Sequence, residues 1–119
     1  MNKIDLPKIQ EEINKFVTDR DWDQFHSVKN LSMALSVECS ELVEIFQWMK
    51  EEQTNNVKNN PETIGKVQDE VADIFFYLMR IVDKTGINLE EVVLTKIKKN
   101  AEKYPVEKSR GISKKYNEL

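Results

Sequence analysis

The chain has 119 residues, the size of one domain, and is long enough to bury a core without covalent staples. Eighteen Lys and Arg against 21 Asp and Glu give a net charge of −3, which excludes the global basic footprint of a protein that binds a nucleic acid polymer. One cysteine (Cys39) and one histidine (His26) exclude an internal disulfide, a cysteine-rich zinc site and a multi-histidine centre within one chain, and three glycines exclude a dinucleotide or Walker A loop.

Few glycines and prolines and many Glu, Lys, Leu and Ile predict helix nearly throughout. A first helix is expected over about 6–20, with Pro7 in its first turn and Ile9, Ile13, Phe16 and Val17 on one face. The segment 21–27, DWDQFHS, breaks the pattern, and Ser27 can cap a second helix over about 28–52. The polar stretch QTNNVKNN separates it from a third, in which Asn60-Pro61 reads as N-cap and first residue and which runs to about 84, where Gly86 stops it. Asn88 with Glu91 marks the start of a fourth over about 89–103, ended by Tyr104-Pro105. Residues 106–119 show no amphipathic period and read as a tail to a helical domain at 1–105. Four helices with short connections predict an all-α, four-helix-bundle-like fold. The third helix carries VADIFFYLMRIV, apolar on almost every side around Phe75, Phe76 and Met79, and so predicts an oligomer. No apolar run of about 18 residues exists and the N-terminus has no apolar signal core, so no membrane partner and a cytoplasmic location are expected.

The chemistry lies in carboxylates on the wrong face. On an ideal wheel of the second helix, Leu31, Leu35, Leu42, Ile45, Phe46 and Met49 share a face, and Glu38 and Glu41 fall on or beside it although the opposite side had room. In the third helix Glu70 flanks the stripe Val67, Val71, Ile74, Leu78, Ile81 and Val82, and Asp73 and Tyr77 lie beside it. Residues three apart sit one turn up on one side of a helix, so Glu38-x-x-Glu41 and Glu70-x-x-Asp73 can each grip one ion. Four converging carboxylates repel unless a cation joins them. An all-oxygen ligand set favours Mg²⁺ or Mn²⁺, and no Glu-x-x-His pair exists for a di-iron centre. Trp48, two turns past Glu41, can stack a base or close the core, and Trp22 and His26 stand in the 21–27 segment, where packing explains large rings less easily.

ExxE followed by ExxD on successive helices resembles the all-α nucleoside triphosphate pyrophosphohydrolases of the MazG-like superfamily, and within it the dCTP pyrophosphatase branch. The resemblance covers residues 8–119 through RDWDQFH (20–26), LSVECSELVEIFQW (35–48), DEVADIFFYL (69–78), LTKIKKNAEKYP (94–105) and SKKYNEL (113–119). It implies Mg²⁺ at Glu38, Glu41, Glu70 and Asp73, base and sugar contacts from Trp22, His26, Trp48 and Tyr77, polar contacts from Lys96 and Asn100, a tail that folds over a nucleotide site, and a homodimer or homotetramer. The short connection between the second and third helices, without an extra tryptophan, and the lack of an N-terminal extension depart from the pattern and touch the base preference rather than the metal.

The expected reaction is dNTP + H₂O → dNMP + pyrophosphate, with dCTP or a modified dCTP leading. With no P-loop to cradle a triphosphate, metal must neutralise it and activate the water, and either Glu41 or Glu38 can accept the water's proton. A basic C-terminal region (Lys96, Lys103, Arg110, Lys114 and Lys115) suits phosphates. Two rival readings stand beside this one. The first is a sister enzyme for dUTP, other NTPs or phosphoribosyl-ATP. The second is a non-catalytic helical oligomerisation module whose acidic seam binds a structural cation or a basic partner.

Overall fold

A computed structural model describes residues 2–119, which form helices and turns without a strand. They divide into two compact units at Thr85–Gly86. The first unit holds α1 (Leu6–Asp19), α2 (Val28–Phe46), α3 (Glu51–Thr54) and α4 (Pro61–Thr85).

Local chemistry sets the boundaries. The Asp5 carboxylate accepts from the Lys8 N–H (3.1 Å) and caps α1, with Pro7 in its first turn. At the other end Trp22 N–H bonds Val17 O (3.0 Å) and Asp21 N–H bonds Thr18 O (3.1 Å), the six-to-one and five-to-two pairing of a Schellman stop. Asp21 takes the left-handed conformation this requires (φ 53°) and accepts from the Gln24 amide on both its carboxylate (2.9 Å) and its carbonyl (3.0 Å). A single 3-10 turn, Asp23–Phe25, follows. Asn30 donates its side chain to Phe25 O (3.0 Å) and its N–H to the Ser27 hydroxyl (3.1 Å). The 21–27 segment is thus a tied turn, and Ser27 caps α2 as the sequence predicts.

The second helix is shorter than the expected 28–52. Lys50 is extended (ψ 154°), and its N–H donates to the Gln53 side chain (2.8 Å), so the chain leaves the helix after Phe46 and starts the short α3 instead. Within the polar stretch a 3-10 turn at Val57–Asn59 buries Val57. Asn60 caps α4 by accepting from Thr63 N–H (3.2 Å), and Gly86 follows its last residue with φ 69°.

His26 meets Arg80, Glu38 meets Glu70, and Met49 shares a pocket wall with Thr63. Numbers rise along one helix as they fall along the other, so α2 and α4 are antiparallel. Leu31, Met79 and Val17 are the most completely buried side chains, joined by Ile13, Val57 and Val82. On α4 the inward face is rotated from the expected stripe. Val71 and Leu78 are 52% and 37% exposed, while Met79 and Arg80 are buried, because α4 packs against both α1 and α2. Met79 therefore serves this chain's own core. Cys39 is exposed. Among the described residues no helix is long and apolar enough to cross a membrane.

The second unit holds α5 (Leu89–Lys103), capped by Asn88 through the Glu91 N–H (3.1 Å), and α6 (Val106–Ser109). Residues 106–119 carry more structure than their lack of period predicts. Besides α6 there is a 3-10 turn at Tyr116–Glu118, whose Tyr116 ring stands edge-on to Tyr104 (6.3 Å between centroids) under the Lys103 ammonium (4.9 Å).

Candidate metal centre

Between α2 and α4, one carboxylate oxygen each from Glu38, Glu41 and Glu70 lie within 4.8 Å of one another. The i, i+3 spacing puts Glu38 and Glu41 on one side of α2, and the antiparallel register brings Glu70 opposite. All three residues are half-buried. The Oε2 atoms of Glu38 and Glu70 are buried without a hydrogen-bond partner. Among the described residues no Lys or Arg pairs with any of the three; the nearby Lys66 pairs with Glu62 (3.8 Å). The close approach of the Glu70 carboxylate, burial, and the approach and charge of Glu41, with the charge of Asp73, push the Glu38 carboxyl up to about 8. Acceptor-only oxygens, buried, converging and lacking a cation, are the donor set of a hard divalent ion, and the residues fit Mg²⁺ or Mn²⁺.

Asp73, one turn beyond Glu70, stands outside this three-way group, although its charge acts on both Glu38 and Tyr77. It lines a cavity of about 930 Å³ between α1 and α4, with Ile9, Ile13, Phe16 and Phe76 as apolar wall. Tyr77 is half-buried; burial, then the Glu38 and Asp73 charges, hold its phenol above the usual value. A smaller cavity of about 440 Å³ opens beside Glu41 and Glu70, with Thr63 and Lys66 in its wall.

The aromatic candidates separate. Trp48 lies beyond the end of α2 and is 88% exposed, so it does not close this chain's core. Trp22 stands edge-on to Phe16 (5.5 Å), Phe16 to Phe76 (5.8 Å) and Phe76 to Tyr77 (5.4 Å), a run of rings from the 21–27 turn to the residue beside the acidic group. His26, 6.5 Å from Trp22 between ring centroids, accepts a hydrogen bond at Nδ1 from Arg80 Nε (3.1 Å). Burial first, then the Arg80 charge and more weakly that of Lys84, lower its pKa against the opposing pull of Asp23. Lys96 and Asn100 lie one turn apart on α5, in the second unit.

Arg80 escaped the reading of the sequence. It is 3% exposed and bonds Asp23 (2.7 Å), Asp83 (3.3 Å), Asn14 (3.4 Å) and His26. The available signal was a lone charge within IFFYLMRIV, one helical turn after Phe76 and Tyr77.

The MazG-like family model matches residues 33–119. Bovine dCTP pyrophosphatase 1 is 38% identical over 105 residues, and the human protein of that name 35%; both alignments take in 88% of this chain and 62% of the relative, so the chain spans about 62% of the length of the curated relatives it matches. The crystal structure of a pyrophosphatase from Archaeoglobus fulgidus superposes with a TM-score of 0.77 at 33% identity, covering 88% of this chain and 96% of that one. With the acidic pairs on antiparallel helices, the matched span and the shared fold all in agreement, the chain belongs to the MazG-like family.

Proposed function

We propose that the protein is a Mg²⁺-dependent nucleoside triphosphate pyrophosphohydrolase that converts a dNTP, with dCTP or a modified dCTP as leading substrate, to dNMP and pyrophosphate. The observation that carries this reading is the convergence of Glu38, Glu41 and Glu70, with a buried, unpartnered oxygen on both Glu38 and Glu70 and no cation of the protein's own. The names of the bovine and human relatives support the substrate class.

Glu38, Glu41 and Glu70 would hold the ion, with Asp73 joining them from the next turn of α4, and the ion there would supply neutralisation of triphosphate charge and a lowered pKa for the attacking water. Glu41 or Glu38 accepts that water's proton as it attacks phosphorus. Trp22, Trp48, Tyr77 and His26 contact base and sugar; an exposed ring such as Trp48, uncovered by its own chain, suits stacking. Lys96 and Asn100 make polar contacts to a nucleotide, and the segment 106–119, with Arg110, Lys114 and Lys115, closes over a nucleotide site, its own or a neighbouring subunit's. Exposed Met33, Val37 and Val43 on α2 and Val71 on α4 support a homodimer or homotetramer that covers them.

The test is pyrophosphate release from a panel of dNTPs, NTPs and phosphoribosyl-ATP with and without Mg²⁺. Release that needs Mg²⁺ and is fastest with dCTP is expected. A different preferred nucleotide would move the protein to a sister activity, and no release from any member would leave a cation-binding helical module.

A further inference from the structure

Arg80 distributes its donors over four partners on three segments: Asn14 on α1, Asp23 and His26 in the turn between α1 and α2, and Asp83 on its own helix. A guanidinium keeps its protons in proteins and has no acceptor atom. In the contact with His26 the Nε–H is therefore the donor and Nδ1 offers its lone pair. A neutral imidazole carries one N–H, so here the proton sits on Nε2. The charged groups facing this ring are Arg80, Lys84 and Asp23, and burial together with the two cations keeps it neutral.

We propose that Arg80 is the positioning residue of the 21–27 turn: it ties that turn to α1 and α4 and locks His26 as the Nε2–H tautomer, so that the turn presents a fixed N–H donor to an acceptor oxygen of the nucleotide. The nucleotide half of this inference rests on the function proposed above; the tautomer half does not. Two observations support the turn as part of the site. The ring series Trp22, Phe16, Phe76 and Tyr77 links it to the residue beside Glu38 and Asp73. Asp23 is also gripped twice, by Arg80 and by Lys84 (2.7 Å each), which is more anchoring than a surface turn needs. An unconstrained histidine exchanges its proton between the two nitrogens and offers an acceptor as readily as a donor. A locked one recognises acceptors only, because a mismatched donor-to-donor contact leaves both groups unsatisfied.

His26 is the sole histidine of the chain, so the imidazole ¹⁵N spectrum of the labelled 119-residue chain reports this ring alone. Near neutral pH the wild type should show a protonated Nε2 and a pyridine-type Nδ1, without averaging. Arg80→Met should give averaged nitrogens and a KM raised about tenfold, the value of one lost neutral hydrogen bond, with kcat changed less. Arg80→Lys keeps the charge and the stem but cannot reach four acceptors; it should behave like Arg80→Met and replaces it if that variant does not fold. Adding a non-hydrolysable α,β-imido dCTP should shift the wild-type Nε2 signal. Inorganic triphosphate alone producing the shift would identify a phosphate oxygen as the acceptor, and deoxycytidine alone a base or sugar oxygen.

A wild-type spectrum with the proton on Nδ1, or averaged, overturns the proposal without any variant or activity. So does a tautomer that survives loss of Arg80, an averaged tautomer with unchanged KM, or an Nε2 signal indifferent to the intact analogue. A chain that hydrolyses no nucleotide but shows the locked tautomer would sink the proposed function and leave the role of Arg80 on His26 standing.

Discussion

The pair α2–α4, with the turn that leads into it, buries charge twice, in opposite ways. At the end where α2 begins, Arg80 meets Asp23 and Asp83, Lys84 meets Asp23, and the carboxyl of Asp23 is held below its usual value by those hydrogen bonds. Roughly 15 Å further along α2, Glu38, Glu41 and Glu70 bring like charges together, and the Glu38 carboxyl is pushed up. The first cluster satisfies its own members and fastens the turn to the helices. The second has no cation to match it and leaves buried oxygens of Glu38 and Glu70 without partners, and folding alone gives no reason to assemble it. A matched cluster reads as architecture and an unmatched one as a place kept for a ligand.

That contrast breaks most visibly at the unmatched cluster. Glu38→Gln or Glu70→Gln should lower pyrophosphate release by about 100-fold or more, the scale of losing a charge-stabilising group at a reacting centre. Removing one of three crowded charges should leave the metal-free protein as stable as wild type or more so. Activity assays and metal-free thermal melts measure the two effects. A large fall in melting temperature for both variants would make these glutamates structural partners. The wild type should also gain about 2.7 kcal/mol of stability when Mg²⁺ is present at about 100 times its Kd. Glu70→Gln should gain much less, and equal gains would remove the ion from the seam.

The two clusters were unequally legible in the sequence. The acidic pairs stood out because each helix had a polar face that its glutamates declined, and the 3.6-residue period carries that signal through ordinary errors of angle. Leu31, Leu35 and Leu42 indeed lie with Glu38 on the less exposed side of α2. The end of α2 was illegible because nothing in its propensity stops a helix at Phe46; the capping of α3 by Gln53 decides it. The face of α4 was misplaced because one stripe was assumed where two neighbours pack. Arg80 was hidden for a related reason. Its partners Asn14 and Asp23 lie 66 and 57 positions away, and a buried arginine declares itself only once they are in place.

At the matched end the expected loss falls on stability. Arg80→Ala should cost about 2 kcal/mol, below the range for stranding a buried charge, because the carboxylates left behind can reach water. Chemical denaturation with an unchanged m-value would measure it. A cost near zero would mean that the guanidinium is no more than a tolerated neighbour, and the contrast with the seam would fail from this side.

The smallest effect gives the sharpest sign. Asp23 accepts from Arg80 and Lys84 on one oxygen, with its side chain 63% exposed, so solvent screens the pair and its share of stability is modest. Its folded pKa lies below the ordinary 3.8. A lowered carboxylate pKa contributes stability that is fully present above the unfolded value and is lost as pH falls through the folded one. Asp23→Asn keeps an acceptor oxygen and removes the charge. It should therefore be less stable than wild type at neutral pH, and the gap should close as pH drops below about 4. Raising the salt concentration at neutral pH should narrow the same gap. His26, another titrating group in the cluster, changes charge below 6.5 in both proteins and so alters the two stability curves more than the difference between them. A gap that widened on acidification would mean that Asp23 is held in its protonated form, and the matched cluster would then be a second site of strain.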